Sequence, residues 1–265
     1  DCRLTDNHAL NELAKEVDEI IPIFILDPKQ IKKTNKNKYY FSNNAVQFIC
    51  ETLVDLDKQL KEYGSHLYLF MGEADTIVHK IIKEYDIDYV AFNLDFSPYA
   101  IKRDNSIMKL CEKEEILCIT NDWDLNLITT EQMLNKNKPF KVYGAYYKNA
   151  VKYDVDKPKN LPKIDFISHL NITGLYPISH LKKLYKENVM IDQRGGLEEC
   201  NKRISKLKYQ KDYNTMRDRL DYETTHLSAY LNMGIISIRQ AYYLFKSKLG
   251  SRTQLLKQLY WRDFY

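Results

Sequence analysis

The chain has 265 residues, 44% hydrophobic and 29% charged, a balance that permits a substantial core and excludes a disordered or fibrous polymer. Its formal net charge of +4 is uneven: from residue 191 onward 14 Lys and Arg face 8 Asp and Glu, while the residues before carry a net −2. Five scattered cysteines without a C-x-x-C pair argue against a disulfide scaffold or metal site and for a reducing, intracellular setting, cytoplasm or nucleus. No apolar run approaches the ~18 residues of a membrane span, and no signal-peptide pattern opens the chain.

In chain order, Asn7–Val17 reads as a helix with Leu10, Leu13, Ala14 and Val17 on one face. EIIPIFILD (19–27) is a continuous apolar run that suits a strand buried on both faces. Residues 42–64 predict a strong helix between a Ser42 N-cap and Gly64, with Val46, Ile49, Leu53, Leu56, Leu60 and Tyr63 as one stripe. Strand 66–72, helix 74–86, strand 88–95, helix 98–115 and strand 116–120 follow. Such alternation predicts a doubly wound parallel sheet over residues 1–128, although no G-x-G-x-x-G follows any strand. Residues 129–187 lack a steady period and read as a connector. From 188 to 265 the pattern is all-α, with helices expected at 196–208, 212–220, 227–233, 237–249 and from 252 onward.

Three stretches could carry chemistry. In FNLDFSPYAIKRDNSI a strand ends, Pro98 opens a helix, and Arg103–Asp104 read either as part of a site or as a surface ion pair. In TTHLSAYLNMG, Thr224, Thr225 and Ser228 crowd the expected start of a short helix. They suit either simple capping or, with Arg217 and His226, a pyrophosphate. In QLLKQLYWRDFY, Gln258, Trp261 and Arg262 fall at spacings of 3 and 4 on one helix face. They are either an aromatic core end or a platform for a nucleobase. The basic C-terminal third fits a polyanion partner or a solvated Lys-rich surface.

Several motifs, in order, resemble the DNA photolyase and cryptochrome family. DCRLTDNHAL resembles its D-L-R-L-x-D-N-x-A-L, and FNLDFSPYAIKRD its N-x-D-Y-x-P-Y-A-x-x-R-D. FKVYGAYYK is similar to F-x-V-F-T-P-F-Y-K, with Gly144 and Ala145 replacing Thr-Pro. RGGLEECNKRI, YNTMRDRLDYETTHLSAYLNMGIISIRQ and QLYWRDFY resemble the motifs of the family's helical domain.

The resemblance implies an α/β antenna domain, then a helical domain holding a U-shaped FAD that repairs UV-damaged DNA by light-driven electron transfer. It implies FAD contacts at Tyr213, Thr224, Thr225, His226, Leu227, Ser228 and Leu255, the last replacing a frequent Trp. It implies DNA or lesion contacts at Arg217, Gln258, Trp261 and Arg262, and it assigns no catalytic residue within the chain. Thr225 and Gln258 lean towards the (6-4) photolyase and animal cryptochrome branch. An antenna folate or deazaflavin is open, as are a light-sensor role and a non-catalytic binding role. By this resemblance the chain is a fragment, lacking a first strand and half of the helical domain. It is then expected to bind FAD poorly alone and to repair nothing; a second polypeptide that completes the fold is one alternative.

Overall fold

In the computed structural model, which describes residues 1–31 and 40–265, the N-terminal half forms helices and strands in the expected order. Helix α1 (His8–Leu13) precedes β1 (Glu19–Ile20), β2 (Ile23–Leu26), α2 (Pro28–Ile31) and α3 (Asn43–Lys61). Then come β3 (Tyr68–Met71), α4 (Ala74–Glu84), β4 (Tyr89–Asn93), α5 (Pro98–Lys113) and β5 (Leu117–Asn121). β2 lies parallel to β3, with Ile23 opposite Tyr68, and β4 parallel to β5, with Tyr89 opposite Leu117. α3 and α5 are the crossovers, so the α/β reading holds. β2 to β5 form two separate ladders, however, not one continuous sheet. Ile25 of β2 packs in one apolar cluster with Val90 and Phe92 of β4.

Local chemistry explains the boundaries. Ser42 Oγ accepts the Ala45 N–H at 3.3 Å, and Gly64 takes the left-handed φ of +74° just beyond α3. Val46, Leu53, Leu56 and Leu60 are buried as expected, but α3 ends at Lys61 and Tyr63 is exposed. The run 19–27 is not one strand. Pro22 has no N–H to give a ladder, so the chain breaks there. β1 pairs instead with β8 (Asp165–Phe166). Ser97 caps α5, with Pro98 in its first turn. Asp104 is buried, not on the surface, accepting from Arg103 Nε at 2.7 Å and from the Asp95 N–H at 3.3 Å.

The expected connector carries more structure than its sequence suggested. A hairpin of β6 (Leu134–Asn135) and β7 (Lys138–Pro139) turns through Lys136 and Asn137, both at positive φ. Helix α6 (Tyr143–Ala150) buries Tyr146 and Ala150, and a 3₁₀ turn (Ile178–Lys183) buries Leu181. The all-α part comprises α7 (Leu197–Ser205), α8 (Tyr213–Met216), α9 (Ser228–Asn232), α10 (Ile238–Leu249) and α11 (Gln254–Phe264). α7 and α8 are shorter than the helices expected at 196–208 and 212–220. One apolar cluster runs from Val46 and Leu53 on α3 to Tyr230, Phe245 and Leu259. Gly195 lets α7 approach α3. Its N–H donates to Glu51 Oε2 at 2.9 Å, and a Cβ there would lie 2.1 Å from the Phe48 carbonyl oxygen.

Candidate cofactor and nucleic-acid site

Thr253 opens α11, and Leu255, Gln258, Leu259 and Arg262 recur down one of its faces at 3- and 4-residue spacing. That face forms one wall of a cleft of about 600 Å³. Of the residues singled out in the sequence, Tyr213, Thr225, Leu227, Ser228, Leu255, Gln258 and Arg262 meet here. Leu227 and Leu255 are buried, so the base of the cleft is apolar, with hydroxyl, amide and guanidinium groups around it. An apolar cavity with a few polar groups suits a flat ligand with a charged tail.

The hydroxyls are not spent on capping. Leu227, not Thr or Ser, occupies the N-cap of α9, and no side chain caps that helix. Thr225 Oγ1 accepts only the Leu227 N–H, at 3.4 Å, in a local turn. His226 has a left-handed φ of +51° and turns away from the cleft, its Nδ1 3.2 Å from Asp192. Thr224 also lies outside the lining. Arg217 is exposed, 3.7 Å from Asp218.

Trp261 does not join Gln258 and Arg262. Its ring lies flat against Tyr143 of α6, with centroids 3.6 Å apart and planes 9° apart, and it also stacks on Tyr265. Arg262 reaches from the cleft wall to donate to the Leu125 carbonyl, and burial pushes its pKa down. The next residue, Asp263, points into the interior and accepts the Leu127 N–H at 2.9 Å. Burial raises its carboxyl pKa to about 7, although the Leu127 hydrogen bond and the Arg262 charge oppose the shift. Asp263 Oδ1 and the buried Tyr146 hydroxyl are left without partners of ordinary geometry.

A family model described as DNA photolyase matches residues 1–163. The chain belongs to the DNA photolyase family. It is 26% identical to the (6-4)DNA photolyase of Arabidopsis thaliana over 99% of its own length and 52% of that protein. It is 27% identical to cryptochrome-2 of Gallus gallus, covering 99% and 49%. An archaeal photolyase from Sulfolobus tokodaii, solved with two FAD molecules, superposes with a TM-score of 0.79 at 29% identity, covering 100% of this chain and 56% of that one. The chain thus spans about half the length of the curated relatives it matches.

Two photolyase-family motifs, quoted above only as resemblances, meet in a buried ionic cluster. Arg239 of α10, fully buried, lies 3.0 Å from Asp6 and 3.1 Å from Asp124. Asp124 also pairs with Arg3, and with His8 Nδ1 at 2.7 Å. Burial alone would push the Asp124 carboxyl up. The His8 hydrogen bond and the Arg3 and Arg239 charges win and hold it well below the usual carboxylate range. Asp6 and Arg239 are over 230 residues apart in sequence, and nothing in local spacing pairs them.

Proposed function

We propose that this chain provides one wall of an FAD site in a light-driven DNA-repair protein acting on UV-damaged DNA. Residues 1–128 would form the α/β domain, 129–187 the connection, and 188–265 part of the helical FAD-binding domain. The observation that carries the reading is the convergence of Tyr213, Thr225, Leu227, Ser228, Leu255, Gln258 and Arg262 on one cleft.

The residues present fit the cofactor. Thr225, Ser228 and the uncapped start of α9 offer donors to a pyrophosphate. Leu255 and Leu227 offer an apolar surface that keeps water from a ring system. Gln258, with one donor and one acceptor group, can hydrogen-bond the edge of a base presented to the cleft. When bound, FAD supplies the light-driven electron chemistry, and the protein supplies position and electrostatics. Thr225 and Gln258, whose identities carry the lean towards the (6-4) and animal-cryptochrome branch, both line the cleft. Among the described residues no helix is long and apolar enough to cross a membrane.

The test is a titration of the purified chain with FAD, followed by flavin fluorescence. Saturable quenching is expected, because the cleft offers both an apolar base and hydroxyl donors. Thr225→Val with Ser228→Ala should weaken it about fivefold, the loss of roughly one net hydrogen bond. Identical quenching by wild type and variant would remove the assignment of this cleft. Loss of (6-4) or cyclobutane lesions from irradiated DNA under blue light separates repair from a light-sensing role.

A further inference from the structure

α10 and α11 have a second cleft on their other side. Its volume is about 710 Å³, and it shares no lining residue with the first. Tyr260, buried, is perpendicular to two other rings of this cleft: Tyr147 at 5.4 Å and 82°, and Tyr242 at 6.4 Å and 89°. Four cations line the same space: Lys157, Lys246, Arg252 and Lys257. Lys246 Nζ stands 5.7 Å from the Tyr242 ring centre and Lys257 Nζ 5.8 Å from that of Tyr147. Among the described residues none of the four forms an ion pair, not even with Asp154 or Asp156 of the same lining. Tyr243 ties the lip down, donating to the Val155 carbonyl at 2.5 Å.

With Tyr260 covered, the half-buried Tyr147 and Tyr242 offer aromatic surface to a planar group, and the unpaired ammonium and guanidinium groups beside them attract phosphate. We infer that this second cleft binds a nucleotide unit, a planar base carrying a phosphate. Its source is either a free mononucleotide or one nucleotide of a single DNA strand. The two clefts share no residue, so failure of the FAD reading leaves this one standing, and the reverse.

The test is calorimetric titration of the chain with adenosine monophosphate, adenosine and a short thymidine oligonucleotide. Adenosine monophosphate should bind saturably and more tightly than adenosine. Lys246→Gln with Arg252→Gln should weaken it about tenfold, roughly the loss of one charge-assisted hydrogen bond. Both residues are exposed, so the melting temperature of this variant should not change, and Lys257→Gln provides a second, independent variant. If the oligonucleotide displaces the mononucleotide, the source is a DNA strand. If it does not, the source is a free nucleotide. Absence of saturation by either up to millimolar concentration would overturn the inference. So would equal affinity in wild type and both variants, or loss of binding in Ser228→Ala in the other cleft.

Discussion

Asp263→Asn isolates one buried carboxyl. In the folded chain Asp263 ionises near pH 7, against an ordinary value of 3.8, because burial penalises its charge. Between those values the folded protein keeps a proton that the unfolded chain has lost. The contribution of Asp263 is therefore complete below about pH 4, falls as pH rises, and levels off above about pH 7. At about 1.4 kcal/mol per pH unit over that window, the ceiling is on the order of 4 kcal/mol. Asn keeps an oxygen for the Leu127 N–H and an amide group for the neighbouring Tyr146 hydroxyl. Urea unfolding of wild type and variant at pH 5, 6, 7 and 8 gives the difference directly. Wild type should lose roughly 2–3 kcal/mol relative to Asn between pH 5 and 8, below the ceiling because the part of the window under pH 5 is not sampled. A difference independent of pH, or one that moves in favour of Asp, would show that Asp263 is ionised in the fold. Asp124 does not interfere. Its carboxyl is held low, so its contribution is lost only as pH falls below the carboxylate range.

Arg239→Met should destabilise the chain by about 3–5 kcal/mol in the same assay, because it leaves Asp6 and Asp124 buried with one cation fewer. Gly195→Ala should cost about 2–4 kcal/mol, read as a lower urea midpoint with an unchanged slope. The added methyl would strike the Phe48 carbonyl, and backbone cannot turn aside as a side chain can.

Much of the fold was legible because its signals are local. The helix expected at 237–249 forms as α10, and the Ser42 and Gly64 signals bracket α3. Half of the candidate site was legible for the same reason, since helix spacing alone puts Gln258 and Arg262 on one face. Trp261 was not. Its orientation depends on Tyr143, within a segment where Gly144 and Ala145 hide the aromatic period of α6. Pro22 was visible, but its effect depends on whether a ladder partner needs its N–H, which only the paired strands decide. The Arg239 cluster is further out of reach, because its charges come from three segments separated by more than 100 residues.

That cluster explains why the cleft face is oriented as it is. In open α/β folds the loops at the carboxyl ends of the strands are where ligands bind. Here the loop after β5 receives protein groups. Arg239 donates to the Asp124 and Asn126 carbonyls, Arg262 to that of Leu125, and Asp263 accepts from the Leu127 N–H. The loop therefore fixes α10 and the end of α11 to the α/β part at consecutive positions. Gln258 and Arg262 lie one turn apart on that anchored helix, so their direction is set by the loop as much as by their own side chains. Ionising Asp263 tightens its hydrogen bond to the Leu127 N–H and places a negative charge beside Arg262, which offsets the pull of the guanidinium on an anion. Any ligand held by Arg262 should then bind more weakly above pH 7 than below it, and Asp263→Asn should remove that pH dependence while leaving the cleft residues intact.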